Sequence, residues 1–147
     1  MTFWQACLSW WYGDTIVGCY RLGQVIGQGS FGCVHRASTE SGDAVAVKVL
    51  NADQGSDERT SAAILAEMEV FLQLIGAKHP HVVSALDVVN DSETQRLCFI
   101  MELCAAGSMQ QLLSTMVFTE GTAVYWQKQL FSGVAFLHGL KTVSYTH

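Results

Sequence analysis

The chain has 147 residues, half of them hydrophobic and only 14% charged, with a formal charge of −5 and an isoelectric point near 5.4. That balance excludes a nucleic-acid footprint, which needs a basic face. The length sets one globular unit or part of one, with less surface charge than a complete small domain usually carries.

Residues 1–19 read as an N-terminal extension bearing Trp4, Trp10, Trp11 and Tyr12. It has no positive leading segment, and Gln5, Ser9 and Asp14 interrupt its apolar run, so neither a secretory leader nor a membrane anchor is expected. Tyr20 to Ile26 then reads as a strand and Gly32 to Ser38 as its hairpin return. Glu40-Ser41-Gly42-Asp43 is a turn cluster, and Ala44 to Leu50 is a third strand. After the polar loop Asn51–Gly55, Ser56 or Asp57 can cap a helix on which Ile64, Leu65, Met68, Phe71, Leu72 and Ile75 recur at helical spacing, with Gly76 as its stop. The only proline, Pro80, turns the chain into two strands, Val82 to Val89 and Arg96 to Met101, around Asn90-Asp91-Ser92-Glu93. Two helices follow, Ser108 to Ser114 and Glu120 to Leu140, the second with Ala123, Trp126, Leu130, Val134 and Leu137 on one face. Three strands, a helix and two strands do not alternate as a parallel sheet requires, so the fold class is α+β.

The five cysteines, Cys7, Cys19, Cys33, Cys98 and Cys104, are odd in number and contain no Cys-x-x-Cys pair. Neither a disulfide framework nor a zinc site is indicated, and a reducing, cytoplasmic setting is expected.

The chemistry is concentrated in Gly27-Gln28-Gly29-Ser30-Phe31-Gly32-Cys33-Val34 and, on the next strand, Val45-Ala46-Val47-Lys48. A glycine-rich hairpin can lay backbone N–H groups over a polyphosphate, and a strand lysine can bring a fixed charge to the same place. A dinucleotide-binding reading would need the last glycine to open a helix, whereas Cys33-Val34-His35-Arg36-Ala37 suits a strand. A P-loop would need Gly-Lys-Ser/Thr, which does not follow.

With the lysine 14 residues after Val34, this stretch resembles the ATP-binding lobe of a protein kinase. The resemblance extends from Tyr20 to about Leu140. It implies a kinase-like lobe of a five-stranded antiparallel sheet plus one helix (20–101), a hinge (102–107) and the first two helices of a helical lobe (108–140). Lys48 would be partnered by Glu67, which stands 19 residues on and beside the apolar stripe, whereas Glu69 points about 200° away toward solvent. Ile26, Gly27, Gln28, Gly29, Ser30, Phe31, Gly32, Val34, Ala46 and Lys48 would surround the nucleotide. Met101 would be the gatekeeper residue, and Glu102 to Cys104 would offer N–H and C=O groups to the adenine edge. His79-Pro80-His81 resembles the family's turn after the helix, where the histidine is structural, and no metal site is expected there.

The resemblance further implies ATP and Mg²⁺ as cofactors and protein Ser/Thr hydroxyls as substrate. His-Arg-Asp and Asp-Phe-Gly, which carry the catalytic aspartate and a metal ligand, do not occur in the sequence, so the expected chain is a truncated, inactive piece of a kinase. Residues 141–147 lack apolar periodicity and a cap. They read as a tail foreign to the protein, with no regular packing past Leu140; the alternative makes His147 the first residue of His-Arg-Asp. A second reading of the whole is a non-catalytic nucleotide-binding or scaffolding module.

Overall fold

The computed structural model describes residues 15–29, 32–50, 58–91, 96–117 and 119–144, with 58–61 and 141–144 as backbone only. The Trp-rich segment, Ser30 and Phe31, the loop at 51–57 with its expected caps, and Ser92 and Glu93 lie outside the described residues. Six strands, β1 (Ile16–Val17), β2 (Tyr20–Gly29), β3 (Gly32–Ser38), β4 (Ala44–Leu50), β5 (Ala85–Asp91) and β6 (Arg96–Glu102), form one antiparallel sheet in the order β1-β2-β3-β4-β6-β5. Helices α1 (Glu58–Leu74), α2 (Met109–Thr115) and α3 (Glu120–Ser144) complete it.

The sheet holds the five expected strands and a short sixth. Gly18, at φ 59°, reverses the chain so that Val17 pairs with Tyr20, and Val17 is buried. The sheet curls, because a Cβ on Gly18 would stand 3.3 Å from Val89 of β5. Tyr20 donates from its hydroxyl to Asp87 Oδ2 at 3.5 Å. The core fills the inside of this curl with Val17, Leu22, Ala37, Val45, Val47, Val49, Cys98 and Ile100.

Alternation along β4 and β6 sends Val45, Val47, Val49, Cys98 and Ile100 to that core. Ala46, Lys48, Leu50, Phe99 and Met101 therefore lie on the opposite face. Helix α1 covers part of this second face: the rings of Phe71 and Phe99 stack at 4.6 Å with 11° between their planes. The apolar stripe of α1 divides accordingly, with Ile64, Met68 and Phe71 partly buried and Leu65, Leu72 and Ile75 exposed.

Two boundaries differ from the sequence reading. The strand expected from Val82 begins only at Ala85, because its partner β6 ends at Glu102 and Ala85 already pairs with Met101. Helix α3 passes Leu140 and runs to Ser144, so the expected end of regular structure at Leu140 is too early; no glycine or proline interrupts 141–144. The apolar stripe of α3 divides as well, with Ala123, Trp126 and Leu137 partly buried. Leu130 and Val134 are exposed, and the buried position is Gly133, where a Cβ would stand 2.7 Å from the carbonyl oxygen of His81.

The four described cysteines are all thiols. Cys98 has no exposed surface, and burial, followed by the charge of Asp91, pushes its pKa up to about 11. A thiol reacts as its thiolate, so at about pH 8 iodoacetamide should label exposed Cys19 and Cys104 and spare Cys33 and Cys98 until the chain is denatured. Peptide mass mapping after timed labelling checks this order.

Candidate functional site

The site forms where the hairpin β2–β3, the outer face of β4 and helix α1 meet. In the antiparallel ladder Gly27 pairs with Val34, Gly29 with Gly32, and Val34 with Lys48. The hairpin tip and the lysine are thereby held on adjacent strands by backbone pairing. Lys48 Nζ donates to Glu67 Oε1 in an ion pair that leaves the two side chains 23% and 36% exposed. Glu69 is solvent-exposed, as its helical angle requires.

Packing sets this pair. Phe71 lies one turn after Glu67 on α1, and Phe99 is the cross-strand partner of Lys48 on β6. Stacking Phe71 on Phe99 therefore brings Glu67 over Lys48. A partly exposed ion pair contributes about 1 kcal/mol at most. The aromatic stack adds a similar increment beyond its large burial, about 0.5–1.5 kcal/mol.

The glycines of the hairpin divide into two kinds. A Cβ on Gly32 would stand 2.0 Å from the carbonyl oxygen of Val49, so the fold itself demands glycine there. A Cβ on Gly29 would meet nothing within 4 Å, and one on Gly27 only the side chain of Val34 at 3.6 Å. At Gly29 the surrounding fold leaves room for a side chain.

Beyond the hairpin, an open cleft of about 740 Å³ lies between β2–β3 and the segment after β6, with Gln24, Ile26 and Arg36 above and Leu103, Cys104 and Gln111 among those below. Ala46 faces Met101 across the β4–β6 pairing, next to this cleft in sequence. Of the expected residues, the structure brings Ile26 and Cys104 into the cleft, Lys48 against Glu67, and Ala46 beside Met101. Gln28 pairs with Cys33 and is exposed.

Backbone groups along the segment after β6 are partly committed. The Glu102 N–H donates to the Ser84 carbonyl at 3.0 Å, and the Ser84 N–H donates to Glu102 Oε2 at 3.1 Å. The Ser84 N–H, and after it the Ser84 hydroxyl, hold the Glu102 carboxyl below its ordinary value of 4.5. The contact is complete above that value and is lost as pH falls through the lowered one. The Gly107 N–H donates to the Cys104 carbonyl at 3.2 Å, and Gly107 at φ 77° turns the chain into α2. Ser108 caps α2 in a reciprocal box with Gln111.

With the hairpin, the lysine–glutamate pair and the cleft in place, the comparison that bears on them is a match of residues 20–146 to the protein kinase domain. The chain belongs to the protein kinase family. CBL-interacting protein kinase 12 of Oryza sativa subsp. japonica is 32% identical over 127 residues, covering 86% of this chain and 23% of that protein. CBL-interacting serine/threonine-protein kinase 18 of Arabidopsis thaliana is 30% identical over 127 residues, with 86% and 24% covered. Mitogen-activated protein kinase kinase kinase 2 of Arabidopsis thaliana is 33% identical over 123 residues, with 81% and 19% covered. The chain thus spans about a quarter or less of the length of these curated relatives.

Three contributors to this candidate site escaped the sequence reading. Phe99 was legible in principle, since pairing Ala46 with Met101 puts it opposite Lys48. Arg36 and Ser84 carried no local signal, as their placement depends on the curl of the sheet and on where β6 ends. Among the described residues no group of three or more His, Cys, Asp or Glu side chains could hold a metal ion.

Glycine substitutions separate the two kinds of hairpin position. Gly32→Ala should destabilise the chain by about 1–3 kcal/mol through overpacking against Val49. Gly29→Ala should stay within about 0.5 kcal/mol of the parent. Urea denaturation of both variants checks this, and equal losses would remove the distinction.

Proposed function

We propose that the chain is the ATP-binding portion of a serine/threonine protein kinase, and that it holds the nucleotide from above while the phosphoryl group passes to a protein hydroxyl. The observation that carries this reading is the Lys48–Glu67 pair on the strand next to the glycine hairpin. In this reading residues 20–101 are the ATP-binding lobe, 102–107 the hinge and 108–140 the start of the helical lobe. Serine/threonine specificity is supported by the name of the relative from Arabidopsis thaliana.

Each element then has a task. The N–H groups of Gly27, Gln28, Gly29 and Gly32 cover the phosphates. Lys48 donates to their oxygens, and Glu67 keeps its ammonium from wandering. Ile26, Val34 and Ala46 close on the adenine ring, with Met101 behind it. In this reading the Glu102 carbonyl and the Cys104 N–H meet the adenine edge, while the Glu102 N–H and the Cys104 carbonyl are spent within the protein. Phosphoryl transfer is chiefly positioning and charge stabilisation, which such parts supply. Mg²⁺, which this reading implies, finds no ligand set among the described residues.

Tyr125, Leu130 and Phe131 on α3, each more than 60% exposed, fit a helix that takes further partners in a helical lobe. They speak against a free-standing scaffolding module, which would show this apolar face to water. A cytoplasmic setting fits the four thiols. No helix among the described residues is long and apolar enough to cross a membrane.

The test is phosphoryl transfer from ATP to a protein substrate. The 147 residues alone should read background, since they contain no Asp-Phe-Gly. A chain that continues into a complete kinase domain should turn over, and Lys48→Ala in it should lower kcat about a hundredfold or more by removing a preorganised charge. A complete domain whose turnover is indifferent to Lys48 would overturn the proposal.

A further inference from the structure

Strand β2 loses its alternation after Leu22. Leu22 is buried, and the residues that follow it, Gly23 to Ile26, are all exposed. The ladder with β3 shows why. Leu22 faces Ala37, Val25 faces His35 and Gly27 faces Val34, so β2 takes five steps where β3 takes three. Two bulges carry the surplus: Gly23 and Gln24 stand opposite Arg36 alone, and Ile26 has no residue opposite it. Between the two bulges, Val25 keeps His35 as its partner.

These shifts decide what lies beside the lysine. Val34 pairs with Lys48 on its other side. Carried on in the register of Leu22 and Ala37, β2 would set Val25 against Val34 and Gly27 against Gly32. The bulges instead bring Gly27 into the row of Val34 and Lys48 and leave the extra Ile26 at the cleft.

A single side chain spans the first bulge. Arg36 lines the cleft, so His35 points by alternation to the opposite side of the sheet, where it pairs with Val47 and is 5% exposed. Among the described residues it is the only buried polar side chain. Its Nδ1 lies 3.1 Å from the carbonyl oxygen of Gly23, inside the bulge. A carbonyl only accepts, so Nδ1 carries the proton and donates. A bulge disrupts the ladder, and this ring gives the displaced carbonyl a partner in its place. Gly23 completes the fit, since a Cβ there would stand 3.0 Å from the Arg36 carbonyl oxygen.

We infer that His35 is a positioning residue for the glycine hairpin: by binding the Gly23 carbonyl it locks the bulged register that puts Gly27 in line with Lys48. It acts through the backbone of β2, from the face away from the cleft. Its effect on ATP rests on the hairpin being the cover over the phosphates; its effect on register does not.

NMR of the 147-residue chain tests the register directly. Backbone nuclear Overhauser contacts should pair Gly27 with Val34 in the parent chain and in His35→Asn, whose amide N–H stands where Nδ1–H does. In His35→Leu, which cannot donate, a second set pairing Val25 with Val34 should appear. In a chain that continues into a complete kinase domain, H35L should raise KM for ATP about tenfold while kcat falls by less, and H35N should restore KM. Parent register kept in H35L, or lost equally in H35N, would overturn the proposal. Register lost with KM unmoved would uphold the role of His35 and count against the hairpin as the cover over ATP. Should H35L not fold, the ring ¹⁵N shifts of the parent chain decide: the Nδ1–H tautomer of His35 is expected, and the Nε2–H tautomer would refute the proposal.

Discussion

Because side chains alternate along a strand, β4 cannot present Lys48 to α1 without sending Val47 and Val49 to the other side of the sheet. The core takes those valines, and it takes Cys98 and Ile100 from β6 by the same rule. Register is therefore held from the apolar side: a slip of one residue would bury the lysine and expose the valines. An ammonium cannot be buried unpaired at tolerable cost, so the slipped form is penalised twice. The site inherits its precision from the core behind it.

The helix is a weaker partner. Its contact with the sheet rests on Phe71 against buried Phe99, and only then does Glu67 reach Lys48. The stack and the ion pair are comparable in strength once solvent screening is counted, but they differ in reach. Stacked rings fix orientation through contact over their whole faces, whereas a half-exposed carboxylate on a flexible stem holds wherever the backbone brings it. Moving Phe71 off Phe99 would thus carry Glu67 away from Lys48. The converse does not hold, because losing the ion pair leaves the aromatic contact in place. Helix position is in this sense upstream of the lysine's environment.

Much of this was legible beforehand, and the reason is local. Strands β3 and β4 occupy the expected residues, Gly32–Ser38 and Ala44–Leu50, because a glycine hairpin and a turn cluster bound two runs with strand character. Glu67 was separable from Glu69 by helical angle alone. What stayed hidden depended on distant partners. Nothing in Val82-Val83-Ser84 says that β6 will run out of length to pair with it. Nothing in Ile16-Val17 says that two residues will be captured by the edge of β2. On α3 the stripe of Ala123, Trp126 and Leu137 is partly buried as expected, but the point of closest approach was missed because apolar spacing was counted and Gly133 was not. The helix docks where its backbone can come close to the turn at His81, and that surface is defined by a missing side chain rather than by large ones.

Among the described residues the helical pair meets the rest of the fold through the covalent segment Leu103–Gly107, through the turn at His79–His81 resting on α3, and across a cavity of about 280 Å³ that Val70 and Gln73 of α1 share with Leu137 and His138 of α3. The open cleft borders only the first of these. The geometry of that segment is pinned by the bonds between Ser84 and Glu102 and by the turn at Gly107. The turn at His79–His81 is held differently: an imidazole lies between a hydroxyl and an aromatic face, and buried Gly133 admits the His81 carbonyl where any side chain would keep it out. The cleft is therefore bordered by an edge that the chain itself fixes, while the long helix behind it is seated by packing.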